Sequence, residues 1–77
     1  MMITLYGKPH CPQCEATKRL FDKFGISYNV IDITKDSQAM EYISSLGFMQ
    51  APVVIAGDDK WCGLRPDMIQ KVAKVFA

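Results

Sequence analysis

Apolar positions in this chain change their period several times, and each change marks an expected element. Ile3 to Tyr6 is a short β-prone run that stops at Gly7-Lys8-Pro9, which predicts a strand delivering the chain to a loop. Cys14, Thr17, Leu20, Phe21 and Phe24 then recur at helical spacing, and Gly25 stands where a cap glycine belongs, so a helix is expected from Pro12 to Phe24. Tyr28 to Ile33, rich in β-branched and aromatic residues, follows directly as a second strand. A strand, helix and strand joined so closely should leave the two strands parallel. Asp36 or Ser37 caps a second helix, with Ala39, Met40, Ile43 and Leu46 as its apolar stripe and Gly47 at its end. Val53 to Ile55 predicts a third strand, the "AGDD" of residues 56–59 a turn, and Lys60 to Cys62 a fourth strand that closes a hairpin. Pro66 suits the first turn of a last helix in which Ile69, Val72, Ala73 and Phe76 form one buried face. The expected order is β-α-β-α-β-β-α in a single α/β domain over residues 1–77, without linker, repeat or low-complexity segment.

Composition narrows the chemistry. At 77 residues, with 49% hydrophobic and 22% charged positions, the chain has the make-up of a small globular domain with little stability in reserve. A net charge of +1, with the basic residues scattered, provides no field to gather nucleic acid or an anionic membrane, so proteins or small molecules are the expected partners. The longest apolar run, around Ala51 to Ala56, is too short to span a bilayer, and no signal-like segment opens the chain. A cytoplasmic location is expected. Three cysteines are too few and odd in number for a secreted disulfide framework, and cytosolic thiols stay reduced unless they are catalytic or bind metal.

Two of those thiols lie in "HCPQC", residues His10 to Cys14, at the predicted strand-to-helix junction. With Pro12 as the first helical residue, Cys11 is the N-cap, and the N–H groups of Gln13 and Cys14 point toward its sulfur. The helix dipole acts in the same direction, and such placements lower a cysteine pKa from about 8.5 toward 7 or below. Cys11 is thus the expected nucleophile. Cys14, one turn on and turned toward the core, is the expected resolving thiol, and the spacing lets a disulfide close with little backbone movement. A structural zinc site needs four ligands, and only His10 and Cys62 remain to complete one. An iron–sulfur cluster would need outside thiols. The metal-binding module therefore stands as the alternative from another class, and no metal or cofactor is expected.

The CxxC after the first strand, followed by Ala51-Pro52 before a hairpin, resembles the thioredoxin and glutaredoxin superfamily. "CPQCEATKRLF" and "QAPVVIAGDDKWCGLRPDMI" are similar to NrdH-type redoxins, and the resemblance runs from about Ile3 to the C-terminus. It implies a thioredoxin fold, a four-stranded mixed sheet flanked by three helices. It also implies a thiol–disulfide oxidoreductase, a monomer, that passes electrons to class Ib ribonucleotide reductase and is replenished by thioredoxin reductase. By this resemblance Cys11 is the attacking thiol, Cys14 the resolving thiol, and Pro52 a cis-proline that leaves the Ala51 backbone open to an incoming substrate strand.

Trp61, Cys62, Gly63, Leu64, Arg65 and Pro66 cover the family's W-S-G-F-R-P stretch, with cysteine in place of serine and leucine in place of phenylalanine. The exchange at Cys62 removes a good hydrogen-bonding group, which loosens any network tying this loop to its neighbour. Cys62 reads either as an inert small residue or as a thiol open to oxidation, and Trp61 as core or as a docking surface. The partner-facing set expected is Lys8, His10, Pro12, Gln13, Ala51, Pro52, Trp61, Cys62, Gly63 and Arg65, of which His10, unusual beside the nucleophile, reads either as a cation that lowers the Cys11 pKa or as an exposed loop histidine. A glutathione-dependent glutaredoxin is the alternative within the same chemistry. Lys8 fits it, as a cation that can meet a glutathione carboxylate, yet Gln50-Ala51-Pro52 replaces Thr-Val-Pro, Gln13 replaces the usual aromatic, and only one glycine of the Gly-Gly pair is present.

Overall fold

A computed structural model describes residues 2–76. The elements are β1 (Ile3–Gly7), α1 (Pro12–Lys23), β2 (Asn29–Asp32), α2 (Ser37–Ser45), β3 (Val53–Ala56), β4 (Asp59–Cys62) and α3 (Pro66–Phe76). This is the order expected from the sequence, with bounds shifted by a residue or two. The four strands form one sheet in the order β2-β1-β3-β4. β1 and β2 are parallel, as the tight strand–helix–strand unit requires, whereas β3 runs antiparallel to both β1 and β4.

Strand periodicity sorts the side chains into two faces. Register places Val30, Leu5, Val54 and Trp61 in one row across the sheet and Ile31, Tyr6, Val53 and Cys62 in the next. The first row faces α1 and α3, because Leu5, Val54 and Trp61 share a buried cluster with Phe21, Ile69 and Val72. The second faces α2, where the Tyr6 and Tyr42 rings lie 6.1 Å apart.

Both of the first two helices end as their glycines suggested. Gly25 (φ +68°) and Gly47 (φ +90°) occupy left-handed backbone that other residues enter at a cost. The amide of Ile26 bonds to the Phe21 carbonyl at 2.9 Å and that of Phe48 to the Ile43 carbonyl at 3.2 Å. These 6→1 bonds define Schellman caps and fold Ile26 and Phe48 back over the last helical turns. At the other end of α2, Asp36 is the N-cap, its carboxylate accepting from the Ala39 amide at 3.0 Å.

The stripe expected on α2 is only half buried. Ala39 and Ile43 pack inward, but Met40 and Leu46 are 47% and 37% exposed. Residues four apart share a helical face, which pairs Ala39 with Ile43; Met40 and Leu46 fall to the sides of that line, and among the described residues no second helix covers this side of the sheet. Ile69 and Val72 of α3 are buried as expected, Ala73 packs against the cluster, and the side chain of Phe76 lies outside the described residues. No helix among the described residues is long and apolar enough to cross a membrane.

Candidate active site

The ends of all four strands meet at one edge of the sheet. There β1 ends at Gly7, β2 at Asp32 and β4 at Cys62, while β3 begins just after Pro52. The Ile33 amide bonds to the Gly7 carbonyl at 3.0 Å and the Gly63 amide to the Pro52 carbonyl at 2.8 Å, which ties neighbouring strand ends together. The chain leaves β1 through Lys8 and Pro9 and turns at His10, whose φ of +57° lies in the left-handed region, one that histidine enters more readily than most residues. That turn feeds Cys11 into the N-cap position of α1.

Cys11 has extended backbone, its carbonyl accepts the first helical bond from the Glu15 amide, and its sulfur accepts from the Cys14 amide at 3.2 Å. Of the two N–H groups expected to reach the sulfur, only that of Cys14 does so. An N–H aimed at the sulfur at a helix N-terminus stabilises negative charge there, which favours the thiolate once the pair is reduced. Cys11 and Cys14 are joined as a disulfide with a Cα–Cα distance of 5.2 Å. Cys14 is 1% exposed and Cys11 6%, so the order of burial is the expected one, yet Cys11 itself is far less open than a loop-edge thiol. Thr17 is fully buried one turn below and satisfies its hydroxyl on the Gln13 carbonyl at 2.8 Å.

Lys8, His10, Cys11, Pro12, Gln13 and Ala51 line one open depression of about 380 Å³. The Ala51-Pro52 peptide is cis, as the resemblance implied. Gly63 (φ +80°) stands beside this group, since a Cβ there would lie 3.7 Å from the Gln13 Oε1. The structure thus gathers most of the expected partner-facing residues around Cys11.

Three members of that set behave differently. Trp61 is not a docking surface: it is 3% exposed, within the core cluster, and its indole Nε1 is buried without a hydrogen-bond partner. Its position opposite Val54 on the α1 and α3 face leaves nothing to present outward. Arg65 is exposed but engaged, its Nε and Nη2 donating to the Asp67 carboxylate at 3.1 and 2.9 Å. The hydrogen bonds and charge of Asp67 raise the Arg65 pKa, and the same bonds lower that of Asp67. Cys62 is a free, half-buried thiol opposite Val53, one residue before the Gly63 tie to Pro52. Since the Cys11–Cys14 disulfide closes without it, Cys62→Ser is expected to keep disulfide reduction within about twofold of the parent. A larger loss in a turnover assay would mean that Cys62 enters the chemistry.

Among the described residues, no group of three or more His, Cys, Asp or Glu is disposed to hold a metal ion. Two features of this edge carry no local signal in the sequence. Gly7 is buried where a Cβ would lie 3.4 Å from Cys14 Sγ, and a second cavity of about 450 Å³ opens between α2 and Ala51.

Comparison with known proteins agrees with this geometry. The glutaredoxin family model matches residues 3–61. The glutaredoxin-like protein NrdH of Escherichia coli K12 is 44% identical over 72 residues, spanning 94% of this chain and 89% of the relative. The chain is a glutaredoxin-family redoxin of the NrdH type. The NrdH protein of Lactococcus lactis subsp. cremoris is 33% identical over 72 residues and is covered along its whole length. The solved structure of Escherichia coli NrdH-redoxin superposes on this redoxin with a TM-score of 0.91 at 45% identity, covering 92% of this chain and 93% of the other. The redoxin accordingly has the thioredoxin fold and is a thiol–disulfide oxidoreductase with Cys11–Cys14 as its CxxC pair.

Proposed function

We propose that this redoxin is a monomeric cytoplasmic electron carrier, reduced by thioredoxin reductase and acting as hydrogen donor to class Ib ribonucleotide reductase. The observation that carries the reading is the juxtaposition of the N-cap sulfur of Cys11 with the Ala51 backbone. Ala51 has no backbone hydrogen bond to another described residue and lies just outside the last β1–β3 pair, Tyr6 with Val53. An extended segment of a protein partner can pair there as an added strand and bring its disulfide to Cys11.

The Cys11 thiolate attacks one sulfur of the acceptor disulfide, forming a mixed disulfide and releasing the other sulfur as a thiolate that takes up a proton. Cys14 then loses its proton and attacks the Cys11 sulfur, forming the Cys11–Cys14 disulfide and releasing the second acceptor thiol. Two electrons leave the redoxin and two protons accompany them. The reductase reverses these steps with its own dithiol. Escherichia coli NrdH-redoxin is itself described as glutaredoxin-like with a thioredoxin-like activity profile, which supports a protein reductant over glutathione.

The test is an NADPH-consumption assay at equal redoxin concentration with class Ib ribonucleotide reductase as acceptor. Thioredoxin reductase is expected to sustain turnover, and glutathione with glutathione reductase at most a slow background. Equal or faster turnover with glutathione would assign the protein to the glutathione-dependent glutaredoxins and make Lys8 a ligand for the tripeptide.

A further inference from the structure

The amide that reaches the Cys11 sulfur and the carbonyl that accepts the Thr17 hydroxyl belong to one peptide group, the one joining Gln13 to Cys14. At one end the Cys14 N–H donates to Cys11 Sγ at 3.2 Å, and at the other the Thr17 Oγ1–H donates to the Gln13 carbonyl at 2.8 Å. The Gln13 amide does not share the task, since only the Cys14 N–H bonds to the sulfur. Thr17 is fully buried and carries the one buried hydroxyl among the described residues. Local rules disfavour it there. Threonine is a poorer helix former than alanine or leucine, and a hydroxyl that bonds back to the carbonyl four residues earlier slightly destabilises a helix. Cys14, Thr17 and Phe21 form the buried side of α1, where an aliphatic side chain of the same shape would pack with no polar atom to satisfy.

We propose that Thr17 is a positioning residue for the Cys11 thiolate, acting through the Gln13–Cys14 peptide. The inference rests on Cys11 being the attacking thiol, as proposed above, and adds a residue that sets its charge. A hydrogen bond received at a peptide oxygen polarises the group and leaves its N–H a stronger donor, so bonds in series reinforce one another. The reinforcement counts most where the local dielectric is low, and Cys11 and Thr17 are 6% and 0% exposed. The hydroxyl also fixes the tilt of the peptide plane. A carbonyl held at 2.8 Å by a side chain locked in the core cannot swing, so the N–H on the same plane stays aimed at the sulfur. Both effects stabilise a charged sulfur more than a neutral thiol, because a bond to a charged acceptor is the stronger one. The Thr17 hydroxyl is given to the carbonyl and not to either sulfur, so its action on the thiolate is indirect.

The experiment measures the Cys11 pKa in the whole reduced redoxin, from the pH dependence of alkylation by iodoacetamide followed by peptide mapping, so that Cys11, Cys14 and Cys62 are followed separately. Thr17→Val removes the hydroxyl and keeps the branched shape. The Gln13 carbonyl retains its helical bond from the backbone amide one turn on, so the variant leaves no buried group unpaired. Thr17→Ser keeps the hydroxyl and drops the methyl. In Thr17→Val the Cys11 pKa is expected to rise by about 0.3–0.6, leaving about two- to fourfold less thiolate at pH values below it, and in Thr17→Ser to stay within about 0.2 of the parent. The Cys14 amide proton, observed by NMR with Cys11 ionised, is expected to move upfield in Thr17→Val as its bond to the sulfur weakens, and to return toward the parent position in Thr17→Ser. Melting temperature is recorded beside both, because a merely structural Thr17 would change stability and leave the Cys11 midpoint in place. An unchanged Cys11 pKa in Thr17→Val overturns the proposal. So does an equal rise in both variants, which would assign the effect to packing and not to the hydroxyl, and so does a shift confined to Cys14. Faster labelling of Cys14 than of Cys11 in the parent would remove the reading of Cys11 as the attacking thiol and this role with it, a result distinct from an unmoved Cys11 midpoint.

Discussion

Cys11→Ser is expected to abolish disulfide reduction, whereas Cys14→Ser is expected to stop after the first step and accumulate a covalent complex with the acceptor. The asymmetry follows from position. Cys11 caps α1, receives the Cys14 amide on its sulfur and lines the depression that faces Ala51. Cys14 is 1% exposed behind it and meets no external disulfide directly. Removing the attacking thiol eliminates the only route to a mixed disulfide, a loss of about a thousandfold or more, in line with deletion of other nucleophiles. Removing the resolving thiol leaves the attack intact but blocks release, so one equivalent of acceptor per redoxin appears as a mixed disulfide that dithiothreitol dissolves. Non-reducing gels and intact mass give the stoichiometry, and alkylation of the reduced protein at neutral pH gives the order of reactivity. Faster labelling of Cys14 than of Cys11 would reverse the two roles.

What made these roles readable in the sequence is that they depend on local rules. A proline at the first helical position, a capping side chain before it and a second thiol one turn on define the geometry within five residues, His10 to Cys14. The glycines at 25 and 47 likewise mark helix ends through backbone conformation alone. Features set by packing at longer range were not legible. Helical spacing finds Met40 and Leu46 on the α2 stripe, but nothing local reveals that a single helix covers that face and leaves both at its margins. From sequence Trp61 fits core and docking surface equally because its fate depends on register: opposite Val54 it points toward α1 and α3, and one residue of slip would turn it out. The hollow behind Ala51 combines residues from β1's following loop, α2 and the segment before β3, so no single stretch announces it.

Gly7 is the clearest case of a residue whose importance appears only in three dimensions, and it carries the second large prediction. In the sequence it reads as the loop that stops a strand. In the fold it is buried at the last position of β1, paired with Asp32, its carbonyl bound to the Ile33 amide. Unlike Gly25, Gly47 and Gly63, it does not adopt a positive φ, so the need for glycine here is one of space. A Cβ at Gly7 would lie 3.1 Å from Leu5 Cδ2 and 3.4 Å from Cys14 Sγ. Neither neighbour can yield easily, because Leu5 is fully buried in the core and Cys14 is 1% exposed under the helix start. Gly7→Val adds two further methyl groups to that contact, and overpacking of this kind costs about 2–3 kcal/mol. In a domain of this size each kcal/mol lowers the melting temperature by about 4–8 °C, so a fall of roughly 10–20 °C is expected in thermal denaturation of the oxidised protein. The strain has a chemical side as well. Displacing the Cys14 sulfur from its seat against Gly7 should slow the resolving step more than the attack, so mixed disulfide builds up in Gly7→Val during turnover at a temperature where it is still folded. Because simple destabilisation lowers both steps together, this accumulation separates a seat for Cys14 from a merely crowded strand end. A variant that melts within about 3 °C of the parent, a change of well under 1 kcal/mol, would mean that the strand end relaxes to admit the side chain and that Gly7 does not hold Cys14 in place.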